Sequence, residues 1–410
     1  MPDSAVLDLD DVGLDRGAAL LLRHALAALP VGATLAVHGS ASALDVHLRA
    51  FARAEGHGFA PVDAATRLRA PRAPSGAPQV ATLRRGEASA ARWVGAERAG
   101  AADADGTVAL PPQTWGLAAR GAAVEAGGPT FAFQLAAREQ LWTEQAGELY
   151  RQAAAAQWDP ETAIPWHAAR THPDVVEQAL VQVLTYLIEN ETAALVVPAR
   201  FCAQVHPHFR EVMQVLAIQA ADEARHIEVF TRRALLSGLP LGLSTTGGQT
   251  SLKTLVDETD FALASFLLSV LGEGSFVHLL GFLHVHAPDA CTAEIMRLAA
   301  QDEARHVAFG MAHLSRHATE DPTLLARLQQ AIERRHDALR HTAGLNAEVF
   351  DALVLLAAGS MTPSAVASGH AAVAGLVEQM DAGRRNRLRR LGFPAERAAA
   401  LSALHTRNFM

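Results

Sequence analysis

The chain lacks the residues that stabilise secreted proteins or attract nucleic acids. Its 410 residues include only two cysteines, Cys202 and Cys291, too few for a disulfide framework, which predicts a reducing, cytoplasmic environment. Acidic residues outnumber basic ones, 43 to 35, for a net charge of -8. We therefore expect no nucleic-acid partner. The basic run at 384–390 is short and indicates a solvated helix face.

A secretion signal and an uninterrupted membrane span are also missing from the sequence pattern. The first residues, MPDSAVLDLDDVG, are acidic rather than basic, unlike a signal peptide. The most apolar stretch, 261–283, contains Glu273, and a carboxylate in the middle of a bilayer is costly unless it is paired. This stretch is therefore expected to be a buried core helix, and no membrane partner is expected.

The first 85 residues alternate between strand and helix patterns. Strand patterns occur in AVLDLD, TLAVHG, GFAPV and VATLRR, and helix patterns cover 17–29 and 44–54. Residues 1–85 are thus predicted to form a small two-layer α/β domain. The segment 86–129 is rich in Ala, Gly and Pro with little periodicity, which predicts a linker.

The stretches LRHALAALPVGATLAV and ALDVHLRAFARAEGHGF, in this order of strands and helices, resemble the small bacterial sulfur-carrier (TusA-like) domains. The working residue of that family is a cysteine at the start of the first helix. The first cysteine of this chain is Cys202, so the resemblance does not extend to the carrier chemistry.

Helical patterns dominate the rest of the chain. They cover 130–156, 173–203, 208–237, 256–285, 289–317, 321–343 and 346–358, with more helix to the end. An all-α bundle over 130–345, with C-terminal helices over 346–410 packed on it, is therefore expected.

Two stretches of the helical part are nearly identical. ADEARHIEVF begins at Ala221 and QDEARHVAFG at Gln301, and each contains a Glu-x-x-His motif. Residues three apart share a helix face, so each motif can present one carboxylate and one imidazole to the same point. The candidate ligands are Glu223 with His226, and Glu303 with His306.

Two further glutamates are located by the symmetry of helical hairpins. A ligand on the preceding antiparallel helix must lie at the same depth as the motif that it faces. Glu273 and Glu303 are equally far from Pro288, and Glu191 and Glu223 are equally far from Pro207; both prolines mark turns, because proline cannot continue a helix. Glu191 and Glu273 therefore complete a set of four carboxylates and two histidines.

Glu189 competes with Glu191 for the first of these positions. The apolar residues Leu180, Leu184, Leu187 and Leu195 follow helical steps that place Glu191 on the inward face. Glu189 shares its face with the polar Gln182 and Thr185. The pattern favours Glu191 and leaves Glu189 as the alternative.

Each motif also carries an aspartate four residues before its histidine, Asp222 before His226 and Asp302 before His306. We expect each aspartate to accept a hydrogen bond from the imidazole of its own motif and to fix the tautomer. Burial of four unpaired glutamates would be expensive, whereas two divalent cations cancel their charge.

The paired DEARH motifs, each preceded about thirty residues earlier by a helical glutamate, resemble the ferritin-like di-iron carboxylate superfamily. The resemblance implies two iron ions, with manganese in place of one iron as an alternative. Ribonucleotide reductase small subunits carry a radical tyrosine where this chain has Phe230, and one group of N-oxygenases has a further histidine where this chain has Ala299. Neither activity is therefore favoured.

The resemblance then implies a non-haem di-iron oxidase or oxygenase that activates O2 and oxidises a small organic substrate. A possible partner implied by it is an electron-donor protein, and a homodimer is expected. The alternative is a metal-handling protein, such as a ferroxidase, a peroxide scavenger or a di-metal scaffold, without oxidation of an organic substrate.

Overall fold

The computed structural model describes residues 4–63, 65–66, 71–169, 172–341 and 347–404, apart from the side chains of residues 89 and 90. Parts of the predicted helices 321–343 and 346–358 and the last six residues of the C-terminal region lie outside the described residues. The chain forms two compact units. One comprises Met1–Arg98 and Ala123–Gly128, and the other comprises Ala99–Ala122 and Pro129–Met410. The expected linker at 86–129 is thus divided between the two units.

The described residues of the first unit form a four-stranded mixed sheet, a two-stranded sheet and three α-helices. Its strands and helices are β1 (Ser4–Asp8), α1 (Ala18–Ala27), β2 (Thr34–His38), α2 (Leu44–Ala54), β3 (Gly58–Pro61), β4 (Gln79–Arg84), α3 (Ala88–Ala91), β5 (Glu97–Arg98) and β6 (Ala123–Val124). The large sheet has the order β1-β2-β4-β3, with β1 parallel to β2 and the other pairs antiparallel. The predicted α/β architecture is confirmed.

Alternating side chains build the core of this unit. Leu35 and Val37 on β2 are fully buried, as are Leu22 on α1 and Leu48 on α2. This is the pattern of a sheet covered by amphipathic helices. The resemblance to sulfur carriers stays a prediction.

The second unit is helical. Its helices are α4 (Arg138–Leu141), α5 (Ala146–Ala155), α6 (Pro160–Ala163), α7 (Asp174–Cys202), α8 (Arg210–Leu235), α9 (Thr246–Val256), α10 (Phe261–Ser265), α11 (Gly274–Val285), α12 (Ala290–Glu320), α13 (Leu324–Leu339), α14 (Ala347–Ala358), α15 (Pro363–Arg390) and α16 (Ala395–Ala403). A π-helical segment, Phe266–Glu273, joins α10 to α11 without a break. This arrangement is a ferritin-like helical bundle, as expected.

The four long helical segments form two hairpins. Helix α7 packs along α8, and α11 packs along α12. The turns fall where the prolines predicted them, since a short 3-10 helix Pro207–Phe209 precedes α8 and Asp289 caps α12 by accepting from the backbone N–H of Thr292 at 2.7 Å.

Polar residues form a layer between two apolar clusters of the bundle. On α8, Val212 and Leu216 belong to one cluster and Val229 and Phe230 to the other, with the first Glu-x-x-His motif between them. The same order holds on the other long helices. The candidate ligands therefore lie in the middle of the bundle.

Three details of the helical unit differ from expectation. Residues 130–137 are not helical, because Leu135 pairs with the turn after α7, its N–H donating to the Gln204 carbonyl at 3.0 Å. Helix α9 lies between the predicted helices 208–237 and 256–285, where no helix was predicted. The run 384–390 is solvated only on one side, since Arg385, Arg389 and Arg390 are exposed whereas Arg384 and Arg387 are buried.

Two helical segments, Asp174–Cys202 and Phe261–Val285, are long and apolar enough to cross a membrane by length and composition. In the bundle, 67% and 72% of the residues in their most apolar windows are buried by the protein itself. Their apolar surface is thus used largely for helix packing.

Candidate metal centre

The six candidate ligands converge in the centre of the bundle. Each of the four long helical segments contributes, with Glu191 on α7, Glu273 at the end of the π segment, and one Glu-x-x-His motif each on α8 and α12. None of these side chains is more than 4% exposed. Positions i and i+3 share a helix face, so the Glu-x-x-His spacing brings both side chains of each motif to the same cluster.

The ligand atoms form two overlapping groups. One contains Glu191, Glu223, His226 and Glu303, and the other contains Glu223, Glu273, Glu303 and His306; within each group the ligand atoms all lie within 4.8 Å of one another. Glu223 and Glu303 belong to both groups. This arrangement suits two adjacent metal ions that share two carboxylates.

The imidazoles turn the same nitrogen towards this cluster. Nδ1 of His226 is 3.1 Å from Glu223 Oε2 and 3.6 Å from Glu303 Oε1, and Nδ1 of His306 is 3.1 Å from Glu223 Oε1. Nδ1 is the nitrogen closer to the backbone, so each ring leaves Nε2 free to bond elsewhere.

The structure places Glu191, rather than Glu189, in the cluster. Glu191 is 1% exposed, with Oε2 3.6 Å from His226 Nδ1. Glu189 is partly exposed and, among the described residues, belongs to neither group of converging ligands. The inward apolar stripe of α7 predicted this difference.

Glu273 ends the π-helical segment and has two polar neighbours that sequence reasoning missed. Gln219, one helical turn before Glu223, donates from Nε2 to Glu273 Oε1 at 2.7 Å. Ser269 also hydrogen-bonds to this carboxylate. A wider helical turn places Glu273 towards the cluster, in line with the frequent occurrence of π segments at functional sites.

The two aspartates bind the histidines of the opposite motifs. His226 Nε2 is 3.1 Å from Asp302 Oδ2, and His306 Nε2 is 3.2 Å from Asp222 Oδ2. The expected pairing within each motif is therefore wrong. Because Nδ1 faces the cluster, Nε2 points away from its own helix turn and reaches the neighbouring helix instead.

A set of donors outside the bundle core holds both aspartates. Asp302 Oδ2 accepts from Trp158 Nε1 at 2.8 Å and from Arg225 Nη2 at 2.9 Å. Arg225 also bonds Asp222, which accepts from Gln157 Nε2 at 2.7 Å. The sequence motifs did not identify Trp158 or Arg225 as part of the site. One general rule could have identified Trp158: the N–H of a buried indole needs a hydrogen-bond acceptor.

Burial and crowding perturb the acids and bases of the cluster. Burial, together with the charge of Glu223, raises the pKa of Glu191 to about 8. Burial and Glu303 raise the pKa of Glu273 well above its usual range. Burial opposes ionisation of both histidines. The pKa of His226 is nevertheless raised well above normal by the hydrogen bond that it donates to Asp302 and by the nearby glutamates. The pKa of His306 is likewise raised by the charge of Glu223 and by the hydrogen bond that it donates to Asp222.

The chemistry of the donor set fits a pair of metal ions. Each of the four glutamates has one buried carboxylate oxygen without a hydrogen-bond partner among the described residues, and Nδ1 of His306 is likewise unpartnered. Such atoms are rare in protein interiors and call for an explanation. Two divalent cations would satisfy them and cancel four negative charges.

Comparisons with known proteins add little information about the function of this site. No model of a protein family matches the chain, and no curated protein does. A solved R2-like ligand-binding oxidase variant with an aerobically reconstituted Mn/Fe cofactor is 14% identical, with 61% of this chain and 94% of that chain covered and a TM-score of 0.45.

A second solved structure, the R2-like ligand-binding oxidase from Sulfolobus acidocaldarius, is 16% identical, with 62% of this chain and 93% of that chain covered and a TM-score of 0.41. At these values the similarity says nothing about function. The chemistry of the centre has to be inferred from its own side chains.

Proposed function

We propose that this protein is a non-haem di-iron oxidase or oxygenase that activates O2 and oxidises a small organic substrate. The observation that supports it most is the pair of overlapping ligand groups that share Glu223 and Glu303. One ion would be held by Glu191 and His226 and the other by Glu273 and His306. Two such ions would supply the electrons and Lewis acidity needed to activate O2.

The side chains around the ions have separate tasks. The shared glutamates would hold both ions, and the histidines would contribute nitrogen donors. Asp222 and Asp302 orient the rings through Nε2, as outer hydrogen-bond partners do at other metal sites. Apolar clusters on both sides of the polar layer exclude water, which strengthens every charge interaction inside.

Carboxylate and imidazole ligands suit both iron and manganese. We propose two irons, with manganese at one position as the alternative. Metal analysis of protein reconstituted with equal concentrations of both ions, combined with anomalous scattering at both absorption edges, assigns each position.

The experiment for the function measures metal content and O2 uptake together. The 410-residue chain is reconstituted with iron, reduced, and exposed to O2 with and without candidate organic substrates. We expect about two ions per chain and O2 uptake that depends on substrate. Glu303→Gln, which changes a shared ligand, should lose both properties. Glu189→Gln is the matched control and should keep them.

Three results would favour other functions. Accumulation of many ferric ions per chain, without a need for substrate, would identify a ferroxidase or storage protein. Consumption of peroxide in preference to O2 would identify a peroxide scavenger. Two tightly bound ions without redox turnover would identify a scaffold.

We also propose the cellular location, the electron donor and the oligomeric state of the protein. The scarcity of cysteine and the acidic net charge support a cytoplasmic protein that binds neither nucleic acid nor membrane. An electron-donor protein would re-reduce the ions, and a homodimer is the proposed assembly. Fractionation of cells and sedimentation of the purified chain test the location and the assembly.

A further inference from the structure

A small cavity lies between α13, α15 and α16, beside the π segment. Its volume is about 40 Å³. Most of its wall is apolar, and the polar part consists of two arginines, a histidine and a serine. The apolar lining residues are Leu271, Ile332, Leu339, Leu388, Leu401 and Leu404.

Arg384 is the most deeply buried arginine of this cavity. It is 5% exposed, and its Nη1 has no hydrogen-bond partner among the described residues. Nε donates to Ser402 Oγ at 3.2 Å, and Nη2 is 4.0 Å from Asp381. Asp381 also pairs with Arg385 at 2.7 Å. One carboxylate is thus shared by two guanidinium groups.

Arg335 adds a second positive charge to the wall. Its Nη2 donates to Ser251 Oγ at 2.7 Å, and its Nη1 bonds Thr254 Oγ1. Both partners are neutral, and within the described part of the chain no carboxylate pairs with Arg335. Burial lowers the pKa of both Arg335 and Arg384 only to about 10. Both groups stay charged at neutral pH, and their charge exceeds what Asp381 balances.

We propose that this cavity binds a small organic carboxylate, with the anionic end against Arg384 and Arg335 and the apolar chain along the leucines. An anion offsets buried positive charge that the protein leaves uncompensated. A guanidinium group also matches the two oxygens of a carboxylate. The leucine lining favours a molecule with an apolar body over sulfate or phosphate.

The size of the cavity limits the ligand. A water molecule needs roughly 10–15 Å³ by the same measure, so a space of about 40 Å³ takes a carboxylate with a short chain. The inference does not depend on the proposed oxidase function. The two sites are nevertheless neighbours in sequence, since Leu271 and Glu273 belong to the same π segment, and the test must separate them.

The test is titration calorimetry of the metal-loaded chain with sodium butyrate. Butyramide is the neutral counterpart of similar shape, and sodium sulfate is the inorganic anion. We expect butyrate to bind, and both comparison compounds to bind at least about tenfold more weakly, because a hydrogen bond to a charged group contributes at least that factor. Arg384→Gln should raise the Kd of butyrate by about tenfold or more.

Control variants keep the test decisive. Arg390→Gln changes an exposed arginine of the same helix and should leave the Kd unchanged. Arg335→Gln provides an independent measurement if Arg384→Gln does not fold. Glu273→Gln should retain butyrate binding, because the cavity is separate from the metal ligands.

Five outcomes would overturn the proposal. Four of them are equal binding of butyramide, equal or tighter binding of sulfate, an unchanged Kd in the folded arginine variants, and the absence of butyrate binding to the folded wild-type chain. Loss of binding in Glu273→Gln alone would place the carboxylate on the metal ions instead, and would also reject the cavity as its site.

Discussion

Replacement of Glu273 by glutamine separates a metal ligand from an incidental buried acid. The side chain is 4% exposed. Its polar neighbours are Ser269, Gln219 Nε2 at 2.7 Å and His306 Nδ1 at 3.9 Å. Among the described residues, no arginine or lysine pairs with this carboxylate. Glutamine keeps the shape and removes the charge.

The expected change in the free energy of unfolding follows from these neighbours. The amide oxygen can still accept from Gln219, so the hydrogen bond survives. The pKa of Glu273 is raised by burial and by Glu303, which shows that a charge at this position is unfavourable in the metal-free protein. The metal-free variant should therefore be within about 1 kcal/mol of wild type, or more stable. Its metal content should fall from two ions to about one.

The assay combines urea unfolding in excess chelator with elemental analysis after reconstitution. Glu189→Gln, on the same bundle but outside the cluster, should change neither quantity. If Glu273 were instead a structural ion-pair partner, its replacement would strand the other charge and destabilise the fold by about 3–5 kcal/mol. Retention of both ions together with such a loss of stability would refute the ligand assignment.

Four further substitutions test the packing and the hydrogen bonds of the bundle. Arg233→Met removes a buried cation paired with Asp289 at 2.8 Å and should lower the free energy of unfolding by about 3–5 kcal/mol in urea. Gly310→Ala puts a methyl 2.6 Å from a neighbouring side chain and should lower the free energy of unfolding by about 1–3 kcal/mol. Gly281→Ala meets open space and should not destabilise the fold. Equal effects of the two substitutions would contradict the predicted steric conflict at Gly310. Asp302→Asn should weaken metal binding about 10–100-fold by titration, and an unchanged affinity would argue against its orienting role.

The ligand set could be predicted from the sequence because its geometry is simple. The Glu-x-x-His spacing fixes two ligands on one helix face, and the turn prolines fix the depth of Glu191 and Glu273. The π segment Phe266–Glu273 could not be predicted, because its wider turn depends on packing between helices rather than on a local pattern. Gln219 and Ser269 were missed for the same reason, since each becomes a neighbour of Glu273 only after the bundle has formed.

The crossed aspartates show where reasoning from one helix stops. Asp222 and His226 lie four residues apart, and a local hydrogen bond between them was a sound expectation from helix geometry. It ignored the direction of the imidazole, whose Nδ1 is committed to the cluster and whose Nε2 therefore reaches the other motif. Each DEARH sequence thus supplies candidate ligands for its own position and the acceptor that orients its counterpart. Neither half is complete without the other, which gives a physical reason for two copies so nearly identical in one chain.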